Sequence, residues 1–495
     1  MAAAVALGAG GPAGTVIIGG GTAGCVLAAR LSADPGHTVC LLEAGPVWAD
    51  AAALPADLRL AGRMPIGPAS PWVFRYPVRL AEGPVAGTIV RGRVLGGSGA
   101  INGGYFVRAL GTDFATWARD CPEWTFDAVL PGYQQIERDL DYGEFPGHGR
   151  DGPIPVRRTV DPVPASVEFA RAALAAGFPE IPDLNALPAA VPAAGLGPVP
   201  CNVDSGMRAG PATEYLLPAL GRPNLTVHDS AMATRIRFRG TRAVGVDYVR
   251  DGRAGTIAAD RIVLCAGAVE SAALLLRSGV GPPGQLQALD IPVVAPAAVG
   301  AWFTDHPEVG IDYRAPATPG SGTVALEYVL TVDDLELRPY AVSFGPDPEV
   351  RRLGAALMRP HSTGELRLAS ADPGVAPILD FRYLAAEYDR RRLREAAELA
   401  TELLHAIPGA TVAAQQPDDS WLRANLGTSQ HLSGTCRMGP ANDESAVVDE
   451  HCRVHGLTGL SVVDLSVVPV PLSRGPQATV LMIAERAAGF LLEAV

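Results

Sequence analysis

The stretch TVIIGGGTAGCVLAARL, Thr15 to Leu31, decides the fold class. Thr15-Val16-Ile17-Ile18 is a short β-branched run of the kind buried in parallel sheets. Gly19-Gly20-Gly21-Thr22-Ala23-Gly24 follows in the pattern G-x-G-x-x-G, and Ala23 to Leu31 is small, apolar and helix-forming. His37 to Leu42 reads as a second strand ending at Glu43, 19 residues beyond Gly24. This is a strand–turn–helix unit suited to a dinucleotide. Gly19 permits the tight turn, Gly21 lets a pyrophosphate approach the backbone, and Gly24 lets helix and strand pack closely. The helix N-terminus offers unpaired N–H groups and the positive end of its dipole to the phosphates. Glu43 can accept from ribose hydroxyls, which favours NAD or FAD over a 2′-phosphorylated dinucleotide. The spacing predicts a Rossmann-like α/β unit and leaves NAD and FAD both open.

The composition narrows the chemistry. The chain has 495 residues, long enough for two or three domains, with 48% hydrophobic and 19% charged residues. A net charge of -12 argues against nucleic acid or an anionic membrane surface as partner. Lysine is absent, so all 40 basic side chains are arginine, which excludes Schiff-base chemistry, lysine-anchored pyridoxal phosphate and a Walker P-loop. The seven cysteines show no C-x-x-C and read as reduced thiols of a cytoplasmic protein. The apolar N-terminus lacks the basic region of a signal peptide, and no apolar run reaches the roughly 18 residues of a membrane span.

A second glycine-rich stretch, RGRVLGGSGAINGGYFVRA from Arg91 to Ala109, holds six glycines in 19 residues. Glycine is costly to order, so such density implies a close approach to backbone. RGRVLGGSGAINGGYFVR resembles the first signature of the glucose-methanol-choline (GMC) flavin oxidoreductases. GAVESAALLLRSGVG, Gly267 to Gly281, resembles the second, with Ala272 where proline is usual. VGAWFTDHP ending at Pro307, HSTGELRLASADPGVAPILDFRYL from His361, HLSGTCRMG from His431, VVDEHCRVHGLTGLSVVDLSVVP from Val447 and ATVLMIAERAA from Ala478 match in order. SGAINGGYF, IERDLDYG (Ile136 to Gly143) and HGRDGPIPVRR (His148 to Arg158) are similar to the subgroup associated with mycofactocin, a peptide-derived redox cofactor.

The resemblance implies a mixed α/β fold: a Rossmann-like FAD-binding domain beside a substrate-binding domain on an antiparallel sheet. The FAD part would be discontinuous, 1–155, 200–305 and 428–495, and 156–199 with 306–427 would face substrate. Strands are expected at Asn224 to Val227, Arg235 to Phe238, Ala243 to Val249 and Arg261 to Cys265. Leu187 to Pro200 reads as linker and Asp389 to His405 as an amphipathic helix. FAD would touch Gly19, Gly20, Gly21, Thr22, Ala23, Gly24, Glu43, Ala44, Arg93, Gly96, Gly97, Ser98, Asn102, Gly103, Gly104, Ala233, Ala266, Asp464, Ala478 and Thr479. A Cβ at Gly96, Gly97 or Gly103 would push the flavin away. Some relatives bond FAD to a histidine just before the asparagine. Ile101 stands there, so FAD is expected to be dissociable.

For the chemistry, the resemblance implies oxidation of a CH–OH donor, with hydride passing to flavin N5 and a base taking the hydroxyl proton. A base titrating near operating pH favours histidine. His431 falls at the family's catalytic histidine, and Gln477 at the position of a second His or Asn across the substrate oxygen. Gln477 cannot act as a base but can donate to an alkoxide. His306 is expected to be structural, near the cofactor, and Arg474 to be solvated, the alternative being that it holds a carboxylate or a carbonyl. Asp449, Glu450, His451, Cys452 and His455 resemble metal ligands on paper, but adjacent residues point apart and the family carries this segment without metal. The specific expectation is a dehydrogenase of mycofactocinol with a respiratory acceptor. A sugar, choline or alcohol oxidase or dehydrogenase is the alternative, and a hydroxynitrile-lyase-like protein the remote one.

Overall fold

The computed structural model describes residues 13–187, 193–315, 324–345, 347, 349–413 and 416–493. β1 (Ala13–Ile18), α1 (Thr22–Leu31) and β2 (Val39–Leu42) form the expected unit. The parallel sheet runs Leu225–His228, β2, β1, Arg253–Leu264, Leu460–Val462. Val16, Ile17, Leu41 and Val263 are buried in it, as a sheet covered on both faces requires. Arg253–Leu264 is long enough to leave this sheet and pair antiparallel with Arg242–Arg250, which pairs with Ala231–Arg239. α1 packs on the last helix, Gln477–Glu493, where Arg30 and the Tyr215 hydroxyl both reach Glu485.

An antiparallel sheet faces this unit. Its order is Thr411–Val412, Pro307–Arg314, Val350–Leu357, Leu335–Pro339, Tyr328–Val332, Ala194–Pro198, with Leu426–Thr428 also pairing on Pro307–Arg314. Strand alternation splits its chemistry. Val309, Ile311, Leu335, Leu337 and Leu353 join the core with Leu393 and Ala396 of helix Glu387–His405. Glu308, Glu336 and Arg338 fall on the other face and are buried all the same. Part of the expected linker is therefore strand, Ala194–Pro198, and its residues 188–192 lie outside those described. A four-stranded sheet, Glu365–Arg367, Ile378–Tyr383, Val73–Ala81, Ala86–Gly92, delivers the chain to the second glycine tract. Ala272 lies buried within helix Gly267–Arg277. No helix among the described residues is long and apolar enough to cross a membrane.

Two of the three segments similar to the mycofactocin subgroup, Ile136 to Gly143 and His148 to Arg158, meet in a buried ion network. His148 Nδ1 lies 3.3 Å from Glu137 and 3.2 Å from Asp139, and its Nε2 lies 2.8 Å from Asp183. Arg158 bonds Asp139 and Asp183, and Arg108 bonds Glu137. Three carboxylates face two guanidinium groups, so a protonated His148 completes the charge balance. Burial works against that proton, but Asp139, Asp183 and Glu137 raise the His148 pKa to about 10. The folded protein thus holds this proton more tightly than the unfolded chain. The stabilisation is complete below the ordinary histidine pKa of about 6.5 and is lost as pH climbs through about 10. His148→Leu, which leaves a buried carboxylate uncompensated, is expected to cost about 3–5 kcal/mol in denaturant unfolding at pH 7. An unchanged midpoint would refute the reading.

Candidate active site

A cavity of about 700 Å³ runs along the carboxyl ends of the parallel strands and under the charged face of the antiparallel sheet. That edge is where open α/β sheets take their ligands. Glycine answers first to backbone here. A Cβ on Gly24 would sit 1.9 Å from the Gly19 carbonyl oxygen, and one on Gly97 would sit 2.8 Å from the Gly21 Cα. The Gly96 amide donates to the Gly20 carbonyl at 2.7 Å. The two glycine tracts therefore press directly on each other. Gly19, Gly96 and Gly97 hold φ of 100°, 91° and 55°, where a side chain is strained. At Gly21, by contrast, a Cβ would come no closer than 3.7 Å to protein, and the residue lines the cavity. The result is a cradle whose floor is bare backbone, as a pyrophosphate needs.

The structure brings Gly19, Gly21, Thr22, Ala23, Glu43, Ala44, Gly97, Ser98, Asn102, Gly103, Ala233, Ala266, Asp464, His431 and Gln477 to this one cavity. Gly20, Gly24, Arg93, Gly96, Gly104, Ala478 and Thr479 are not among its lining residues. Gly96 is held against protein: its Cβ would meet Ala100 and Ala212, whereas one on Gly103 would meet Ala325 and Met64. The side-chain-free positions thus answer to protein neighbours before any flavin. Thr479 is bonded to the Tyr133 hydroxyl, and Arg93 lies over Phe74 at the surface.

The acids brace the cradle. Glu43 accepts from the Gly20 and Gly45 amides, each at 2.7 Å, which ties both turns to the end of β2 and leaves lone pairs for a ribose. Burial outweighs these bonds and pushes its pKa up to about 7. Asp464 accepts from the Gly267 amide and the Ser271 hydroxyl, holding the start of helix Gly267–Arg277. Ala233 lies at an irregularity in the pairing of Ala231–Arg239, which turns its backbone to the cavity. Asn102 Oδ1 accepts from Gly104 and Arg208, so its amide group is what remains for a ligand. Gln477 Oε1 lies 3.4 Å from the Thr22 hydroxyl, and Gln477 Nε2 is buried without a partner. An orphan donor beside a glycine cradle fits a bound FAD.

His431 lines the other part of the cavity. Asp305 Oδ1 accepts from the backbone amides of both His306 and His431, at 2.7 and 2.8 Å. His431 Nδ1 lies 2.8 Å from His306 Nδ1, and His306 Nε2 lies 2.8 Å from the Leu472 carbonyl oxygen. Gln430 holds φ of 67° and accepts from Val90 N and Arg91, pinning the residue before His431. Burial, then His306, Arg338 and Arg91, hold the His431 pKa well below the ordinary histidine range. His431 is therefore a neutral imidazole at neutral pH.

The antiparallel sheet adds residues that the sequence reading passed over. Arg338 bonds Glu308 at 2.8 Å and Glu336 at 2.7 Å. The Tyr340 hydroxyl donates to Glu308 and the Tyr105 hydroxyl to Glu336. Arg474, expected to be solvated, is buried 3.6 Å from Glu336. Burial opposes the charge on Glu336, but Arg338 and Arg474 hold its pKa below the usual range. Every oxygen of both carboxylates is engaged, and both charges are neutralised. Of the residues that resemble metal ligands on paper, Asp449 accepts from the amides of His451 and Arg453, and His455 faces the Gly439 carbonyl.

A dinucleotide cradle, an orphan donor beside it and a neutral buried imidazole in one cavity fit an FAD-dependent oxidoreductase of alcohol type. Residues 13–308 and 360–484 each match a family model described as GMC oxidoreductase. A GMC-type oxidoreductase of Rhodococcus erythropolis, encoded in the thcA 5′ region, is 46% identical over 492 residues, 96% of this chain and 98% of that one. Oxygen-dependent choline dehydrogenase 1 of Chromohalobacter salexigens is 34% identical, over 96% of this chain and 93% of its own. The structure of pyridoxine 4-oxidase from Mesorbium loti superposes with a TM-score of 0.88 at 28% identity, covering 96% of this chain and 98% of that one. The chain belongs to the GMC oxidoreductase family.

Gly97→Ala tests the contact between the tracts. It is expected to yield protein with little bound flavin, read as the ratio of absorbance at the flavin band to that of protein. Full flavin occupancy would show that the tracts do not meet as described.

Proposed function

We propose that the protein oxidises an uncharged alcohol, with His431 as the base that takes the hydroxyl proton. The observation that carries this is the neutral imidazole of His431 in the same cavity as the dinucleotide cradle. Bound FAD supplies the hydride acceptor. The cradle residues Gly19, Gly21, Thr22, Gly97 and Asp464 would hold it, without a covalent bond because Ile101 offers no nucleophile. Gln477, turned to Thr22, would give its free amide donor to the cofactor side of the reacting oxygen rather than act as a second base. The parts 1–155, 200–305 and 428–495 would serve FAD, and 156–199 with 306–427 the substrate.

The substrate class follows from charge. Choline dehydrogenases are among the relatives, and a quaternary ammonium is held by a carboxylate and aromatic faces. Here Glu308 lines the cavity but is already bonded to Arg338, Ser429 and Tyr340. Among the described residues lining that end of the cavity, no carboxylate is left uncompensated for a cation. An uncharged hydroxyl compound suits the lining of Met64, Ile66, Phe74, Tyr105 and Phe344 better. Mycofactocinol is the donor that the sequence resemblance favours, with electrons going to a respiratory acceptor in the cytoplasm. Of the segments behind that resemblance, SGAINGGYF lines the cavity through Ser98, Ile101, Asn102, Gly103 and Tyr105, whereas the Glu137–His148–Arg158 network does not and supports the reading only through likeness.

Anaerobic mixing with mycofactocinol and a panel of alcohols tests the substrate. We expect bleaching of the flavin band by uncharged donors and little by choline. Fast bleaching by choline alone would overturn the charge argument, and peroxide release in air would exclude a strict dehydrogenase. His431→Ala is expected to keep FAD and lose about 10²–10⁴ in the rate of reduction. A depressed base pKa keeps the reactive form present as pH falls, so reduction by wild-type protein should stay level from about pH 8 to about pH 6.5, the ordinary histidine value. A steep fall within that window would place the base elsewhere. Acid precipitation should release the yellow cofactor into the supernatant.

A further inference from the structure

The DHP motif supplies more than scaffold. The Leu472 carbonyl can only accept, so the 2.8 Å contact requires a proton on His306 Nε2. His306 is buried, and burial with the nearby Arg338 lowers its pKa to about 4, so the ring is neutral and its Nδ1 carries only a lone pair. The 2.8 Å separation between the two Nδ1 atoms needs one proton between them, and only His431 can provide it. We propose that His306 is a positioning residue that selects the tautomer of His431, keeping the proton on Nδ1 and the lone pair on Nε2. Nε2 of His431 forms no hydrogen bond among the described residues and is not sealed by protein. The ring that lines the cavity therefore presents its basic nitrogen there. The opposite tautomer would present an N–H and could accept nothing.

The surroundings hold this arrangement in place. One oxygen of Asp305 fixes the backbone amides of both histidines, and the other takes the Thr428 hydroxyl at 2.7 Å. Leu472 is held through the next residue: Ser473 donates from its amide and hydroxyl to the buried Asp113, at 2.9 and 2.5 Å. The acceptor that orients His306 is thus anchored on helix Gly111–Trp117, outside both sheets. When His431 gains a proton on Nε2, its Nδ1–H bond to the neutral His306 becomes charge-assisted and stronger. The selection acts before the step and supports its product.

This inference rests on His431 as the base, and it has a readout of its own. Nitrogen–proton correlation spectra of the FAD-loaded protein, labelled at histidine nitrogen and assigned with single variants, report which ring nitrogen carries the proton. We expect His431 protonated at Nδ1 and His306 at Nε2. A proton on His431 Nε2 overturns the inference, whatever the activity. Two variants give a second measure. His306→Asn sets a carbonyl oxygen near the place of Nδ1, whereas His306→Gln sets its amide near the place of Nε2 and leaves no acceptor for His431. Flavin reduction is expected to stay within about tenfold of wild type for the first and to fall about 10²-fold for the second, with KM little changed in both. Equal losses would reduce His306 to packing. Normal reduction in His431→Ala would instead defeat the base assignment and leave the measured tautomer standing.

Discussion

The contact between Gly21 and Gly97 is the constraint on which the rest of the site depends. Two turns from separate glycine tracts near the start of the chain touch backbone to backbone, where a single Cβ would sit 2.8 Å from a main-chain carbon. Because neither tract carries a side chain there, the cavity floor is made of peptide groups. Such a floor can follow a pyrophosphate closely, with the dipole of α1 behind it. Glu43 and Asp464 then act less as ligands than as ties, each gathering backbone amides from separate turns. The order of the cradle is thus bought with glycine and held by buried acids.

The other part of the cavity follows a different rule. Glu308, Glu336, Arg338 and Arg474 are all out of water, and two acids against two guanidinium groups cancel. An isolated charge in that place would be strongly disfavoured, while a closed network satisfies its own hydrogen-bonding needs. Beside burial and His306, Arg338 of this network and Arg91 of the second glycine tract add a positive field that keeps the His431 imidazole neutral. A neutral base suits the removal of a proton from an uncharged donor. Charge balance on the sheet and basicity of His431 are consequently one design.

The sequence showed what is local and hid what is not. The first turn, α1, β2, helix Glu387–His405 and the strands from Leu225 to Leu264 were legible because period and glycine spacing are properties of adjacent residues. Leu335-Glu336-Leu337-Arg338 alternates as a surface strand does, so its buried polar face could not be told from a solvated one. Ala194–Pro198 is a strand only because Tyr328–Val332 lies beside it, more than a hundred residues later. Gln477 was found by position, but its rotamer toward Thr22 depends on the absence of a side chain at Gly99, where a Cβ would sit 3.0 Å from its amide nitrogen.

The similarity to one subgroup calls for separate weighing. Two of its segments supply Glu137, Asp139, His148 and Arg158, which balance charge together with Asp183 and Arg108. Such a set is hard to change one residue at a time, because any single loss leaves a buried charge without its partner. Likeness there therefore reports shared architecture in this corner of the fold. In the function proposed above, substrate choice would rest instead on Glu308 and Arg338, on strands Pro307–Arg314 and Leu335–Pro339, and on Tyr340 just beyond the second, all three of which line the cavity. Two chains could share the whole ion network and differ at these three positions, and it is the latter difference that a substrate would feel.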